Sequence, residues 1–256
     1  VTGTLTLLAE RRGERTRLAC VRYDGTLRCS RAFDDRGAVR VVTSSLGPGL
    51  LAGDGTVISG NVGTQAHLIV TEQSATRAYG GAAVSTSHRT WNVASAATLE
   101  LLAEPVTLFS GSRHEANTTI ELGVGARVTI VDAIVAAEPQ FVSYASDVTI
   151  RRAGRLVTVD RARLDPEVMP ARALGVLIYL GQLSAHRLGD IESFLHARSG
   201  IRFGIGRPLA EGLIVRLYGD DAWTVREALH AAAARVRCHT SAGQSQGEIG
   251  APSSRS

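Results

Sequence analysis

Asn61-Val62-Gly63-Thr64-Gln65-Ala66-His67-Leu68 (NVGTQAHL) returns twice further along the chain. Asn92-Val93-Ala94-Ser95-Ala96-Ala97-Thr98-Leu99 and Glu121-Leu122-Gly123-Val124-Gly125-Ala126-Arg127-Val128 carry the same order. Each copy is an apolar residue, a turn of small residues, then Ala-x-apolar opening a new β-type run. The copies begin at 61, 92 and 121, so they are 31 and 29 residues apart. A period of about thirty residues suits stacked units, each burying its face against the next. A β meander rich in Gly and Ala gives similar echoes, so periodicity alone leaves that alternative open.

Upstream of the repeat, residues 5–8, 16–21 and 38–42 alternate as strands, with turns at Asp24-Gly25 and Asp34-Asp35-Arg36-Gly37. Downstream, residues 128–135, 147–150 and 155–160 read as strands, the last two joined at Ala153-Gly154. Asp165-Pro166 and Met169-Pro170 break the chain, and residues 173–183 form an apolar run read as a buried strand. Residues 186–198 place Leu188, Ile191, Phe194 and Leu195 at helical spacing. Residues 201–205 and 212–218 look like a strand pair, and Asp220 or Asp221 can cap a last helix running to Arg237. The expected fold is mainly β, with strands stacked in layers and about two α-helices towards the C-terminus. One domain over residues 1–238 and a disordered Ser/Gly/Gln/Pro-rich tail over 239–256 complete the expectation.

Composition narrows the function. Hydrophobic and charged fractions of 44% and 20% are ordinary for a globular chain. The net charge is +4 and every basic residue apart from histidine is Arg. No basic stripe with interleaved aromatics appears, which argues against nucleic acid as a partner. Three cysteines (Cys20, Cys29 and Cys238) form neither a disulfide framework nor a zinc spacing, and buried free thiols are the expectation. No signal-peptide pattern opens the chain, and no apolar run approaches the ~20 residues of a membrane span. A cytoplasmic protein without a membrane association is expected.

The polar side chains that interrupt the apolar runs are the candidate working residues. Asp54 lies in Gly53-Asp54-Gly55, after Gly47-Pro48-Gly49; a plain Asp-Gly turn is the alternative. Thr71, Glu72 and Gln73 follow the apolar run Leu68-Ile69-Val70 and supply oxygen ligands in a compact patch. Glu100 and Glu104 share a face on an extended strand, as a carboxylate pair or as exposed charges. His67 and His88 are isolated. The chain has no G-x-S-x-G elbow, no P-loop, no complete dinucleotide fingerprint and no HExxH. That absence of a nucleophile–base set favours binding or scaffolding over catalysis.

Five motifs in order resemble the urease accessory protein UreD (UreH) family. They are Gly47-Pro48-Gly49-Leu50-Leu51-Ala52-Gly53-Asp54; Thr71-Glu72-Gln73-Ser74-Ala75-Thr76-Arg77-Ala78-Tyr79; Leu99-Glu100-Leu101-Leu102-Ala103; the stretch from Arg151 to Pro166; and Val215-Arg216-Leu217-Tyr218-Gly219-Asp220. The resemblance runs from about residue 3 to residue 237. Glu72 stands where the family has a second Thr, Ala103 where it has Pro, and residues 136–140 lack the family's Gly-Arg while Glu138 keeps a carboxylate.

The resemblance implies a non-catalytic urease maturation factor, a scaffold and nickel conduit. It would link apo-urease to UreF-like and UreG-like partners. No cofactor would be tightly bound; nickel would pass transiently along polar residues, with Asp54, Glu72 and Glu138 as metal contacts. Thr71, Gln73, Tyr79, Glu100 and Glu104 are the associated binding residues. Scattered carboxylates suit transfer better than a closed Cys/His cage. Two other readings stand beside it: a β-solenoid hydrolase or lyase pairing Asp54 with Glu72 or Glu104, and a structural β protein without metal handling.

Overall fold

The computed structural model describes residues 1–138, 140–208 and 211–237. Cys238 and the tail expected over 239–256 lie outside the described residues. The chain begins with the hairpin β1 (Thr2–Arg12) and β2 (Arg15–Asp24), followed by β3 (Leu27–Cys29), β4 (Phe33–Asp35) and β5 (Ala38–Ser45). The repeat region comprises β6 (Gly55–Val62), β7 (His67–Glu72), β8 (Thr76–Ala78), β9 (Ser85–Val93), β10 (Thr98–Leu102), β11 (Val106–Leu108), β12 (Arg113–Leu122) and β13 (Arg127–Ala136). It continues into β14 (Ser143–Arg152), β15 (Arg155–Leu164) and β16 (Ala173–Leu180). Helix α1 (Ala185–His196), β17 (Arg202–Gly206), β18 (Gly212–Gly219) and helix α2 (Ala222–Arg237) follow.

The sequence repeat is the coil of a solenoid. Asn61 pairs with Asn92 and Asn92 with Glu121 in parallel register, and His67, Thr98 and Arg127 align in the same way. The offsets of 31 and 29 residues are therefore the lengths of successive coils. The apolar position of each copy (Val62, Val93, Leu122), its Ala (Ala66, Ala97, Ala126) and the apolar residue two positions later (Leu68, Leu99, Val128) are all buried. Between them the chain turns through a residue at positive φ: Gln65 at 59°, Ala96 at 55° and Gly125 at 66°. The turns themselves stack, with Gln65 N donating to Ser95 O (3.1 Å) and Ala96 N to Val124 O (2.9 Å).

Coiling produces two facing sheets. One has the order β15-β14-β12-β9-β6-β1-β2; the other runs β17-β18-β16-β13-β10-β7-β5-β3. The main core fills the space between them near the repeat turns, centred on Leu7, Trp91, Leu99, Ile120 and Ile130. Gly60 leaves room for the Trp91 ring: a Cβ there would lie 2.3 Å from it. Helices α1 and α2 cover the outer face of the second sheet, where Ile191, Leu195, Leu229 and Val236 form another apolar cluster with Leu177 and Leu217. Ser184 caps α1 through the Arg187 N–H, and Asp221 caps α2 through the Thr224 N–H (2.9 Å).

Two expectations are corrected. Glu100 is 2% exposed, not a solvated charge, because α2 lies over the face it shares with Glu104. The two carboxylates do not pair; each takes a different arginine of α2, Arg237 for Glu100 and Arg226 for Glu104. Cys20 and Cys29 are free thiols but only half-buried.

Candidate functional site: a polar layer between the sheets

Strand pairing sets one inward row on the first sheet as Leu5, Ile58, Arg89, Thr118, Val148 and Asp160. On the second sheet Thr43 pairs with Glu72, and Asp132, Val176 and Arg216 stand in one register. These rows meet at the end of the sandwich away from the repeat turns. Arg89 Nη1 donates to Asp132 Oδ1 across the gap at 2.8 Å. Arg216 crosses in the opposite sense to bond Asp160. Both are charge-assisted pairs linking one sheet to the other.

A cavity of about 400 Å³ opens on this layer, lined by Thr43, Gly49, Glu72, Ser87 and Arg89 among others. Beyond the Arg89–Asp132 pair, a small pocket of about 50 Å³ sets Asp132, Tyr144, Ser146, Asp160 and Arg216 among apolar residues such as Ile134, Leu174 and Val176. Polar side chains thus run across the sandwich from one side to the other. The Gly/Pro loop forms one wall of the larger cavity. Leu50 N donates to Arg77 O (2.7 Å) and Tyr79 N to Leu50 O (2.9 Å). Gly49, at φ 140°, allows that approach, since a Cβ would lie 2.4 Å from Arg77 O.

The electrostatics follow from burial. Glu72 presents part of its surface to the cavity, but its surroundings are protein, and burial pushes its carboxyl up to about 7. Its Oε2 accepts the Glu104 N–H at 3.1 Å. Burial works against the charge of Arg89, but Asp132 and Glu72 outweigh it and raise the guanidinium above its ordinary value. Asp160 is raised by burial, with Arg216 opposing. His114 is buried with Nδ1 2.9 Å from Ser85 Oγ, and its ring stacks on Tyr144. Burial, then the charge of Arg89, pushes it down to about 4.

Of the residues expected to contact metal, Glu72 alone lines the cavity. Asp54 closes the local turn, with Asp54 N bonded to Leu51 O and Leu51 N to Asp54 Oδ2, both at 3.0 Å. Glu138 is exposed in the loop after β13. Thr71 bonds Val41 O, away from the cavity, as strand alternation with its neighbour Glu72 requires. Gln73 and Glu104 line a separate outer groove beside Trp223. Tyr79 stacks on Phe109 and bonds Pro48 O, so it supports the loop. Glu100 holds His67 Nε2 (2.7 Å) and Arg237 (2.6 Å); burial opposes its charge, but these partners win and keep its carboxyl below the usual range.

The residues missed were Arg89, Asp132, Asp160 and Arg216. Asp132 carried a signal, as the lone charge within the apolar run of β13. Among the described residues no three His, Cys, Asp or Glu side chains converge to hold a metal ion.

A family model, UreD urease accessory protein, matches residues 1–248. The chain belongs to this family. A urease accessory protein UreD of Sorangium cellulosum is 32% identical over 161 residues, covering 58% of this chain and 52% of that protein. One from an Anaeromyxobacter species is 30% identical over 196 residues (69% and 66%). One from Alkalilimnicola ehrlichii is 28% identical over 252 residues, 92% of this chain and 86% of its own length. The first match therefore spans about half of the relative concerned. Family membership brings the urease accessory context to a chain whose two sheets are bridged by the Arg89–Asp132 and Arg216–Asp160 pairs.

Proposed function

We propose that this chain is a urease maturation factor: a non-catalytic scaffold that docks apo-urease with UreF-like and UreG-like proteins and conducts nickel between its sheets. The observation that carries this reading is the polar layer from Glu72 through the Arg89–Asp132 pair to Asp160 and the half-exposed Arg216, set beside a large apolar core. Buried charge is costly and is retained where it does something other than pack. In this reading nickel is cargo. Glu72, with a carboxyl near neutrality, exchanges a proton for a cation at small cost. Asp132 and Asp160 offer the next carboxylates. Two carboxylates at a time, without a third ligand, suit transit rather than storage.

The acid–base hydrolase reading loses support because Asp54 does not line the cavity with Glu72. No helix among the described residues is long and apolar enough to cross a membrane. We place the protein in the cytoplasm, where its partners would meet it. The test is deletion of the gene followed by urease assays with and without added nickel, together with co-precipitation of the tagged chain with the UreF-like protein and apo-urease. Loss of urease activity that excess nickel partly restores, with both partners recovered, is expected. Full activity in the deletion strain, or recovery of neither partner, contradicts the proposal.

A further inference from the structure

Arg89 stands against both carboxylates of the proposed passage, Asp132 and Glu72. It leaves β9 for the interior with a side chain 13% exposed, bonds Asp132 on the opposite sheet, and lines the same cavity as Glu72. The two carboxylates are its electrostatic partners across the gap. A guanidinium keeps its charge at any accessible pH, so this counter-charge is permanent. When both carboxylates are ionised, this fixed charge neutralises one of them. A second cation arriving beside it meets one uncompensated carboxylate and one like charge. To engage both carboxylates it must push the guanidinium off Asp132.

We propose that Arg89 is the specificity-determining residue of the passage, a built-in counter-cation that a divalent ion displaces from Asp132 and that expels the ion on its return. This rests on the conduit reading above. It explains how two buried carboxylates pass a divalent cation without trapping it. A monovalent cation gains too little from the pair to replace a charge-assisted guanidinium bond. A divalent cation gains about twice as much from each carboxylate at the same distance. The selectivity is therefore for charge, with Arg89 setting the threshold. A neutral side chain at this position turns the passage into a holding site.

The test is calorimetric titration of the purified chain with nickel ion alone, for the parent and for R89Q, R89K, R89Q/D132N, E72Q and D132N. The amide of R89Q keeps a donor for Asp132 while removing the charge. R89Q is expected to bind nickel about tenfold tighter than the parent, and R89K to stay within about threefold of it. R89Q/D132N, with one carboxylate and no arginine, returns towards the parent.

R89Q binding no tighter than the parent, while E72Q and D132N each weaken parent binding, overturns the role of Arg89 and leaves the conduit standing. Tighter binding by R89K overturns the charge argument in the same way. Parent binding insensitive to both E72Q and D132N removes the conduit, and this inference with it. Should R89Q leave too little folded protein, nickel at refolding is expected to restore its yield where sodium at equal ionic strength does not. Equal yields with the two ions overturn the proposal.

Discussion

His114 and Glu72 both feel the charge of Arg89, yet they titrate in opposite senses. The folded chain holds His114 neutral down to about 4, while an unfolded chain takes the proton near 6.5. That contribution to stability is complete above about pH 6.5 and is lost as pH falls towards 4, a total of about 3 kcal/mol. Glu72 keeps a proton up to about 7 that an unfolded chain releases near 4.5. Its contribution is complete below about pH 4.5 and is lost as pH rises through 7, about 2 kcal/mol after discounting for the side turned to the cavity. Urea unfolding across this range is expected to show H114F losing the acid-side fall, since a phenyl ring keeps the Tyr144 contact. E72Q is expected to exceed the parent by about 2 kcal/mol near pH 8 and to match it near pH 4. An E72Q less stable than the parent near pH 8 contradicts the burial of Glu72. Glu72 was legible in the sequence because a carboxylate directly after a buried run has few places to go. Arg89 was not, because Ser87-His88-Arg89-Thr90 reads as any polar strand until the facing sheet is known.

At the scale of elements, the three repeat turns use one conformation with three different residues. Gln65 and Ala96 sit at positive φ, where only Gly125 is at ease. Q65G and A96G are each expected to raise stability by about 0.5–1 kcal/mol, and G125A to lower it by about 1 kcal/mol. Thermal melts of the three variants check this, and a destabilised A96G contradicts it. The repeat was the most legible feature of the chain, because in-register stacking imposes the same burial on each copy. The setting of β10 was less so. β10 ends at Leu102, so strand alternation does not reach Glu104, and nothing local reveals that α2 engages both carboxylates through Arg237 and Arg226. E100Q takes the anion from Arg237 and His67 and is expected to cost about 3 kcal/mol. Amide exchange is expected to quicken first in the last turn of α2, around Val236; unchanged protection there contradicts this tether.

At the scale of the whole molecule, the solenoid brings together groups far apart in the chain. Arg89 and Asp132 are separated by 43 residues, and Asp160 and Arg216 by 56. Layered strands and two late helices followed from periodicity and caps; the polar layer did not, because it exists only once the sheets face each other. In the proposed conduit, partner docking and metal transfer would be separable, since the outer surface and the interior are built from opposite faces of the same strands. The direct measurement is nickel content of urease matured with the E72Q/D132N variant, alongside the yield of the accessory complex that the variant forms. The account predicts an intact complex and urease with about a tenth or less of its normal nickel. Urease fully loaded by a variant whose interior carboxylates are gone contradicts it.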